Sequence, residues 1–558
     1  MSTVGQYLAT RLEQIGINDY FVVPGDFNLV LLDEFLFNKH LNMISCCNEL
    51  NAGYAADGYC RATGAAALVL TFCVGGLSAI NAVAGAYAED LPVIVISGGP
   101  NTNSAAAHQI LHHTTGEHDY RYVRDMFAKV TVKSVIIDDI NTAAYLIDDT
   151  ISIALEKQKP VYIEIACNLA NYPLAPPQPL TFSSNSRSDA LSLTAAVAAA
   201  ATLLNAAKKP TLITGVKLRS AKATVAMQAL IDASGYAFAA MPNAKGFLNE
   251  AQENYIGIYW GSVSSPGCAS IIESSDAYLF AGPVFSDYTT TGFSLLINPK
   301  KLIEAHPTHV VVAGVTYNHV LLADFLTQLA LNLSINTYSL EAFKRIEGEA
   351  KLSHLASPEE NISVRNLFSA IENILNGQSN LVVETGDSWF NGMRLHLPKD
   401  CSYEFQMQWG SIGWATGATF GQAIAVQGKR RVISCIGDGS FQLTAQEVAN
   451  MIRYEVNPII FLINNHGYSI EVQIHDGPYN TIKNWQYSEL IKVFNAEDGK
   501  AWGCVVNTEK ELAMAIKTAL ANDQLSFIEV IVDKNDCNKN LLEWGSKVGV
   551  TNSIPPKS

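Results

Sequence analysis

Two apolar, β-branched runs, RVISCI over 431–436 and PIIFLI over 458–463, flank a helical pattern over 441–456, and each ends in a small polar signature. The first runs into Gly437-Asp438-Gly439, the second into Asn464-Asn465. Strands this apolar are buried on both faces, which is the condition of a parallel sheet covered by helices, with the spacer as the crossover. This part of the chain is thereby committed to an open α/β sheet, where ligands bind outside the carboxyl ends of the strands. A carboxylate, an amide and the flexible glycines Gly439 and Gly467 meet at one rim. A hard cation bridging to phosphate suits that set, because it takes oxygen ligands and needs backbone that can come close.

The rest of the chain repeats the strand and helix alternation, with apolar runs at 67–72, 92–96, 210–214 and 277–280. Segments 171–189, with Pro173, Pro176, Pro177 and Pro179, and 347–361 read as linkers. The 558 residues therefore divide into three doubly wound, mainly parallel α/β domains over 1–175, 190–345 and 360–558. With 37 basic against 52 acidic residues, a net charge of −15 and no basic run, nucleic-acid binding is excluded as an expectation. The apolar stretch 195–207 contains Asn205 and is too short to span a bilayer, so no membrane is expected. The first residues read as an amphipathic helix (Val4, Leu8, Leu12, Ile15) carrying Arg11 and Glu13, not as a signal peptide. Ten cysteines without a Cys-x-x-Cys pair point to a reducing, cytoplasmic setting.

Four places could carry chemistry. Glu49 lies in a small-residue stretch that leads into a helix, and Asp26 follows a Pro-Gly turn. His112 and His113 are adjacent on a loop, and Glu471 opens a helix after the second signature. Capping, turn formation and the helix dipole would each account for such residues without any function.

The paired signature resembles the magnesium-diphosphate motif of thiamine-diphosphate enzymes, GDG followed by NN. With ETGDSWF at 384–390, QWGSIG at 408–413, GDGSFQLT at 437–444 and LHHTTG at 111–116, the chain resembles the pyruvate decarboxylases over nearly its whole length, especially the bacterial type. The resemblance implies a thiamine-diphosphate-binding fold at both ends, pyrimidine-binding in the first domain and diphosphate-binding in the third. It implies a Rossmann-like middle domain, whose segment 214–219 lacks Gly-x-Gly-x-x-Gly and so predicts no nucleotide. It also implies thiamine diphosphate and Mg²⁺ as cofactors, the metal on Asp438, Asn465 and the Gly467 carbonyl. Thr385, Asp387, Gly410, Ser411, Ile412, Gly439 and Ser440 would hold the rest of the cofactor. Ser411 stands where several bacterial relatives have histidine, which predicts a contact through backbone.

Glu49 matches the carboxyl group that faces the cofactor's pyrimidine ring, and Asp26, His112, His113 and Glu471 match the proton-handling set. Trp389, Ile470, Ile474 and Trp544 would line the substrate pocket. Two isoleucines leave little room beyond a methyl group, which favours non-oxidative decarboxylation of pyruvate to acetaldehyde and CO₂, the chemistry of alcoholic fermentation. A decarboxylase of indolepyruvate, phenylpyruvate or branched 2-oxo acids is the alternative, and a thiamine-diphosphate carboligase a more distant one. Glu49 and Asp438 fall in different domains, and in this family they belong to different subunits. The resemblance thus implies a homodimer at minimum and a homotetramer as the full assembly, acting on a small 2-oxo acid.

Overall fold

The computed structural model describes residues 2–179, 187–347 and 357–553; the expected linkers include 180–186 and 348–356, which lie outside the described residues. The first sheet contains β1 (Asp19–Val22), β2 (Asn42–Ser45), β3 (Ala66–Leu70), β4 (Val93–Gly99), β5 (Lys133–Ile137) and β6 (Val161–Ala166). Its order is β2-β1-β3-β4-β6-β5, parallel throughout. The middle sheet contains β7 (Pro210–Thr214), β8 (Ala237–Ala240), β9 (Tyr255–Ile258), β10 (Ala277–Ala281), β11 (Leu302–Ala305), β12 (His309–Val312) and β13 (Val315–Asn318), in the order β9-β8-β7-β10-β11-β12-β13. Only its last two pairings are antiparallel. The third sheet is again all parallel, with β14 (Ser379–Val383), β15 (Ser402–Glu404), β16 (Arg431–Gly437), β17 (Ile459–Asn464), β18 (Trp502–Val506) and β19 (Ser526–Ile531) in the order β15-β14-β16-β17-β19-β18. The class expected from the sequence, mainly parallel α/β, is the one observed.

Eight helices position the site: α1 (Glu49–Thr63), α2 (Val74–Ala88), α3 (Asp387–Gly392), α4 (Trp414–Val426), α5 (Asp438–Thr444), α6 (Glu447–Arg453), α7 (Ser469–Ile474) and α8 (Lys539–Ser553). The first and third sheets are joined through α1 and α4, which lie so close that three glycines leave no room for a Cβ of their own. A Cβ on Gly421 would sit 1.9 Å from the Ala55 carbonyl oxygen, one on Gly58 would sit 2.3 Å from that of Ala418, and one on Gly417 would sit 2.6 Å from Tyr54 Cβ. Small residues let two helix backbones approach closely, and here backbone meets backbone. One apolar core then runs through the contact, with Phe21 of β1 edge-on to Phe420 of α4 at 6.1 Å.

A buried ionic junction closes the same region. Arg61, at the end of α1, bonds Asp57 at 2.7 Å, Glu404 of β15 at 3.2 Å and the Phe405 carbonyl at 3.0 Å, and lies over the Trp414 ring at 4.9 Å. Arg219 of the middle unit reaches the same Glu404 at 2.7 Å, while Lys217 and Ser220 hold Asp90 at 2.6 and 2.9 Å. Buried charges persist when their partners are this close and this many, and breaking one partner is costly. The segment 214–219 is therefore occupied with inter-sheet ion pairs. Among the described residues no helix is long and apolar enough to cross a membrane.

The Gly421→Ala variant puts a methyl group into a backbone carbonyl. It should destabilise the protein by about 3 kcal/mol, the upper end for overpacking, read as a lowered midpoint in urea denaturation at unchanged slope. An unchanged midpoint would mean that α1 and α4 can separate freely.

Candidate active site

Two groups of polar side chains stand at carboxyl rims. In the first sheet the chain leaves β1 through Asp26, leaves β2 into α1, and leaves β4 into the loop with His112 and His113. Asn48 caps α1 by accepting the Asn51 N–H, which sets Glu49 as the first residue of the helix. A Cβ on Gly75, in the first turn of α2, would lie 3.1 Å from Glu49 Oε1, so the carboxyl group rests against a wall that only glycine leaves open. His112 Nε2 is 2.5 Å from Asp26 Oδ2, and His113 Nε2 is 3.6 Å from Asp26 Oδ1. His112 also stacks on Phe27 with ring centres 4.9 Å apart.

The second group lines a cleft of about 280 Å³ at the carboxyl ends of β14, β16 and β17. Its walls include Thr385, Asp387, Ile412, Asp438, Gly439, Ser440, Asn465, Gly467, Ile470 and Glu471. Asp438 is buried; its carboxylate accepts the N–H groups of Gly439 at 2.7 Å and Gly467 at 3.2 Å. Burial nonetheless pushes its carboxyl up to about 6. The Asn465 amide lies 2.5 Å from Ser469 Oγ, 2.9 Å from the Gly467 carbonyl and 3.3 Å from Asp438 Oδ1; with its nitrogen toward the latter two it donates to both and its oxygen accepts the Ser469 hydroxyl. With a cation at this point the amide can turn its oxygen inward instead, so that three oxygens face the ion. The donor chemistry fits a hard divalent ion. A Cβ on Gly439 would strike the Tyr468 ring at 2.4 Å, and one on Gly467 would strike the Asn480 carbonyl at 2.5 Å, so both glycines are there for close approach. Thr385 Oγ1 on the same wall is buried without a partner among the described residues, a polar atom left for a ligand.

Several expected residues fall elsewhere. Trp389 and Trp544 are completely buried, and both pack edge-on against Tyr288. They belong to the core behind the cleft, because large flat rings maximise apolar contact there, and neither lines it. Ile474 sits at the far end of α7 against Gly549 of α8 and is not part of the cleft wall. Gly410 and Ser411 also stand off it. The Ser411 N–H donates to Gln406 Oε1 at 3.0 Å and its hydroxyl is 2.7 Å from the Tyr54 hydroxyl, which leaves its carbonyl as the backbone group for a ligand. Asn81 joins the two hydroxyls at 3.0 and 3.2 Å, which ties the loop before Ile412 to α1 and α2. Asp26, Glu49, His112 and His113 do not line the cleft of their own chain.

The family match covers both rims. Residues 2–121 match the N-terminal TPP binding domain of thiamine pyrophosphate enzymes, residues 197–327 their central domain and residues 385–530 their C-terminal TPP binding domain. The chain is 51% identical to pyruvate decarboxylase 2 of Arabidopsis thaliana over 561 residues, covering 100% of this chain and 92% of that protein. It is 50% identical to pyruvate decarboxylase 1 of Oryza sativa subsp. japonica (100% and 93%) and 49% identical to pyruvate decarboxylase 1 of Pisum sativum (99% and 94%). The chain belongs to the pyruvate decarboxylase family. The fold agrees with a solved Mycobacterium smegmatis structure described as a thiamin diphosphate-dependent enzyme, at 18% identity and a TM-score of 0.76, covering 95% of this chain and 99% of that one.

Thiamine diphosphate is the cofactor of the pyruvate decarboxylase family, with Mg²⁺ as its usual partner, and the cleft residues fit both. The oxygen cluster of Asp438, Asn465 and Gly467 suits the ion, and the partnerless Thr385 hydroxyl suits an anionic group beside it. One residue that sequence reasoning missed stands directly behind this wall. Glu384, completely buried at the end of β14, accepts the N–H of Thr385 at 2.8 Å and of Ala415 at 3.0 Å. It fixes Thr385 and the start of α4, just after Ile412, to each other. Its place one residue before Thr385 in ETGDSWF was the signal available.

Burial raises the Glu384 carboxyl from 4.5 to about 7, against the hydrogen bonds from Ala415, Thr385 and Gly413 that lower it. A raised folded value favours the protonated form, so the stability it gives is full below about 4.5 and is lost as the pH rises through about 7. In cofactor-free protein, wild type should therefore lose up to about 3 kcal/mol relative to Glu384→Gln between pH 5 and pH 8.5. Thermal denaturation of both at the two pH values measures this, and parallel curves would show that the carboxyl is not perturbed.

Proposed function

We propose that the protein decarboxylates pyruvate to acetaldehyde and CO₂ without net oxidation, and that each active site is built from two chains. The observation that carries the reading is the cleft whose lining brings Asp438, Asn465 and Gly467 together with Ile470 and Glu471, in a chain about half identical over its full length to pyruvate decarboxylases. The chain is read as three domains near 1–175, 190–345 and 360–558, with the outer two contributing to the site. Its ten cysteines are free thiols, six of them buried, which fits a reducing cytoplasm.

Thiamine diphosphate, when bound, supplies the nucleophilic carbon and the electron sink that loss of CO₂ requires. Asp438, Asn465 and the Gly467 carbonyl would hold the ion, with Gly439, Ser440, Thr385 and Asp387 placed around the diphosphate. Ile412 adds an apolar side chain to the same wall. Glu49 of the partner subunit would face the pyrimidine ring, where its carboxyl group could hold a proton. The reaction consumes one proton for each CO₂ released. Asp26 and His112 share a short hydrogen bond, and His113 lies within reach of the same carboxylate, so the three can hold and pass that proton. Glu471, exposed on the cleft wall, is the second proton donor. Ile470 closes the space beside the reacting carbon, so a methyl group fits better than a ring.

A second chain is supported by where the two rims lie. The first-sheet group stands outside the cleft of its own chain, and the apolar side chains near both rims face outward. Val74 and Leu77 of α2, Trp409 and Leu443 are each more than a third exposed. An apolar face of this kind beside an incomplete site marks an interface.

Acetaldehyde formed from pyruvate in the presence of thiamine diphosphate and Mg²⁺, followed by coupling to alcohol dehydrogenase, tests the activity. In the same assay Ile470→Ala should raise the kcat/KM ratio of phenylpyruvate over pyruvate at least tenfold, about 1.4 kcal/mol. A flat ratio in a folded variant would remove Ile470 from the pocket.

Mixing tests the two-chain site. Glu49→Gln and Asp438→Ala homodimers should each be nearly inactive. Unfolded together and reassembled at equal amounts, they should recover about a quarter of wild-type activity, since half the dimers are hybrids with one intact site out of two. No recovery would place Glu49 and Asp438 in the same chain's site.

A further inference from the structure

Glu447 is a completely buried carboxylate on α6 that the proposed chemistry does not use. Its Oε2 accepts the backbone N–H of Cys47 at 3.1 Å, across from the third sheet to the first. Its Oε1 accepts Asn450 Nδ2 at 3.1 Å, and the same Asn450 nitrogen lies 3.2 Å from Cys47 Sγ. One turn further on, Tyr454 accepts the Ser45 N–H at 2.7 Å and donates to the Met43 carbonyl at 3.3 Å. Cys47 Sγ in turn donates to the Gln446 carbonyl at 3.2 Å. Glu447, Asn450 and Tyr454 are spaced i, i+3 and i+7, one face of a helical run. That face grips the backbone of β2, an edge strand with a free side, and the turn that leaves it.

The gripped turn is the one that delivers Glu49. Cys47 is followed by Asn48, the cap of α1, and then by Glu49 itself. A charged acceptor buried away from water holds an N–H more strongly than a neutral one, and leaving that N–H without a partner would let the turn move. α6 also begins three residues after α5, the helix that opens at Asp438. The helical run that sets the oxygen cluster therefore also sets the Glu49 turn of its own chain.

We infer that Glu447 is a positioning residue for Glu49, holding the Cys47–Asn48 turn so that the Glu49 carboxyl group keeps one direction. This rests on the role given to Glu49 above. Glu447 touches neither substrate nor cofactor, and its effect is on catalysis through geometry, separate from metal and diphosphate binding.

The test compares Glu447→Ala with Glu447→Gln, whose amide oxygen can still accept the Cys47 N–H, in enzyme loaded with thiamine diphosphate and Mg²⁺. In Glu447→Ala, amide hydrogen exchange measured by mass spectrometry should speed at least tenfold in the peptide spanning 43–50 and stay unchanged over 438–445. The kcat for pyruvate should fall at least tenfold, while binding of inorganic pyrophosphate with Mg²⁺ stays within threefold of wild type. Glu447→Gln should recover both exchange and kcat to within threefold. Exchange or kcat unaffected by the alanine variant would overturn the inference, as would equal loosening over 438–445 with loss of pyrophosphate binding, which marks general support of the fold. If the alanine variant does not accumulate as folded protein, Asn450→Ala, which frees Glu447 to swing, gives the same local reading at smaller size. No change in exchange over 43–50 in that variant would overturn it equally. Glu49→Gln, run alongside, separates the two failures: if it keeps full turnover, the Glu49 role is wrong, whatever Glu447 does to the turn.

Discussion

The contact of α1 with α4, backbone against backbone, is the constraint on which the rest hangs. α1 begins at Glu49, and α4 begins two residues after Ile412. Because Gly58, Gly417 and Gly421 leave no side chain in the gap, the two helices have no slack along or across their axes. Arg61 then pins the far end of α1 to β15 with a buried charge, and Tyr54 pins its near end to Ser411. Two loops that would otherwise be free to drift are held at fixed distances from one crossing point. Rigid elements place chemistry more accurately than loops do.

The cleft shows the opposite property. Its oxygens, its buried carboxylates and a partnerless hydroxyl are arranged at a cost to the protein alone. Asp438 and Asp387 are both pushed up to about 6 by burial, and Glu384 to about 7. Such a wall is complementary to a cation and an anion bound together, so the ligands supply the compensation that the protein does not. The first-sheet rim needs no ion for its short contact, since Asp26 and His112 satisfy each other.

Much of the scaffold was legible because parallel strands are written as continuous apolar runs: 431–436 and 458–463 became the adjacent strands β16 and β17, and GDG and NN stood at their ends as read. Asp438, Asn465 and Gly467 could be grouped from spacing, since one crossover returns the chain to the neighbouring strand. Trp389 and Trp544 could not be placed that way. Whether these tryptophans face a cleft or the core behind it depends on Tyr288, which is remote in sequence from both. Glu447 was invisible for the same reason, because a glutamate in a helix reads as solvated and its partner, the Cys47 N–H, lies 400 residues away. Glu384 lies inside the ETGDSWF motif, but its use is to bond backbone, which side-chain patterns do not record.

Trp409 is an outward-facing ring beside the loop that leads to Ile412, and its indole N–H donates to Asn81 Oδ1 at 2.8 Å. Trp260, Trp389, Trp414 and Trp544 are all fully buried already. Indole emission moves to shorter wavelength when water is taken away from the ring. Four of the seven tryptophans thus give a constant background, and Trp409 is placed to change colour when another surface covers it. The protein carries its own optical report on whether the face next to its catalytic loops is wet or dry.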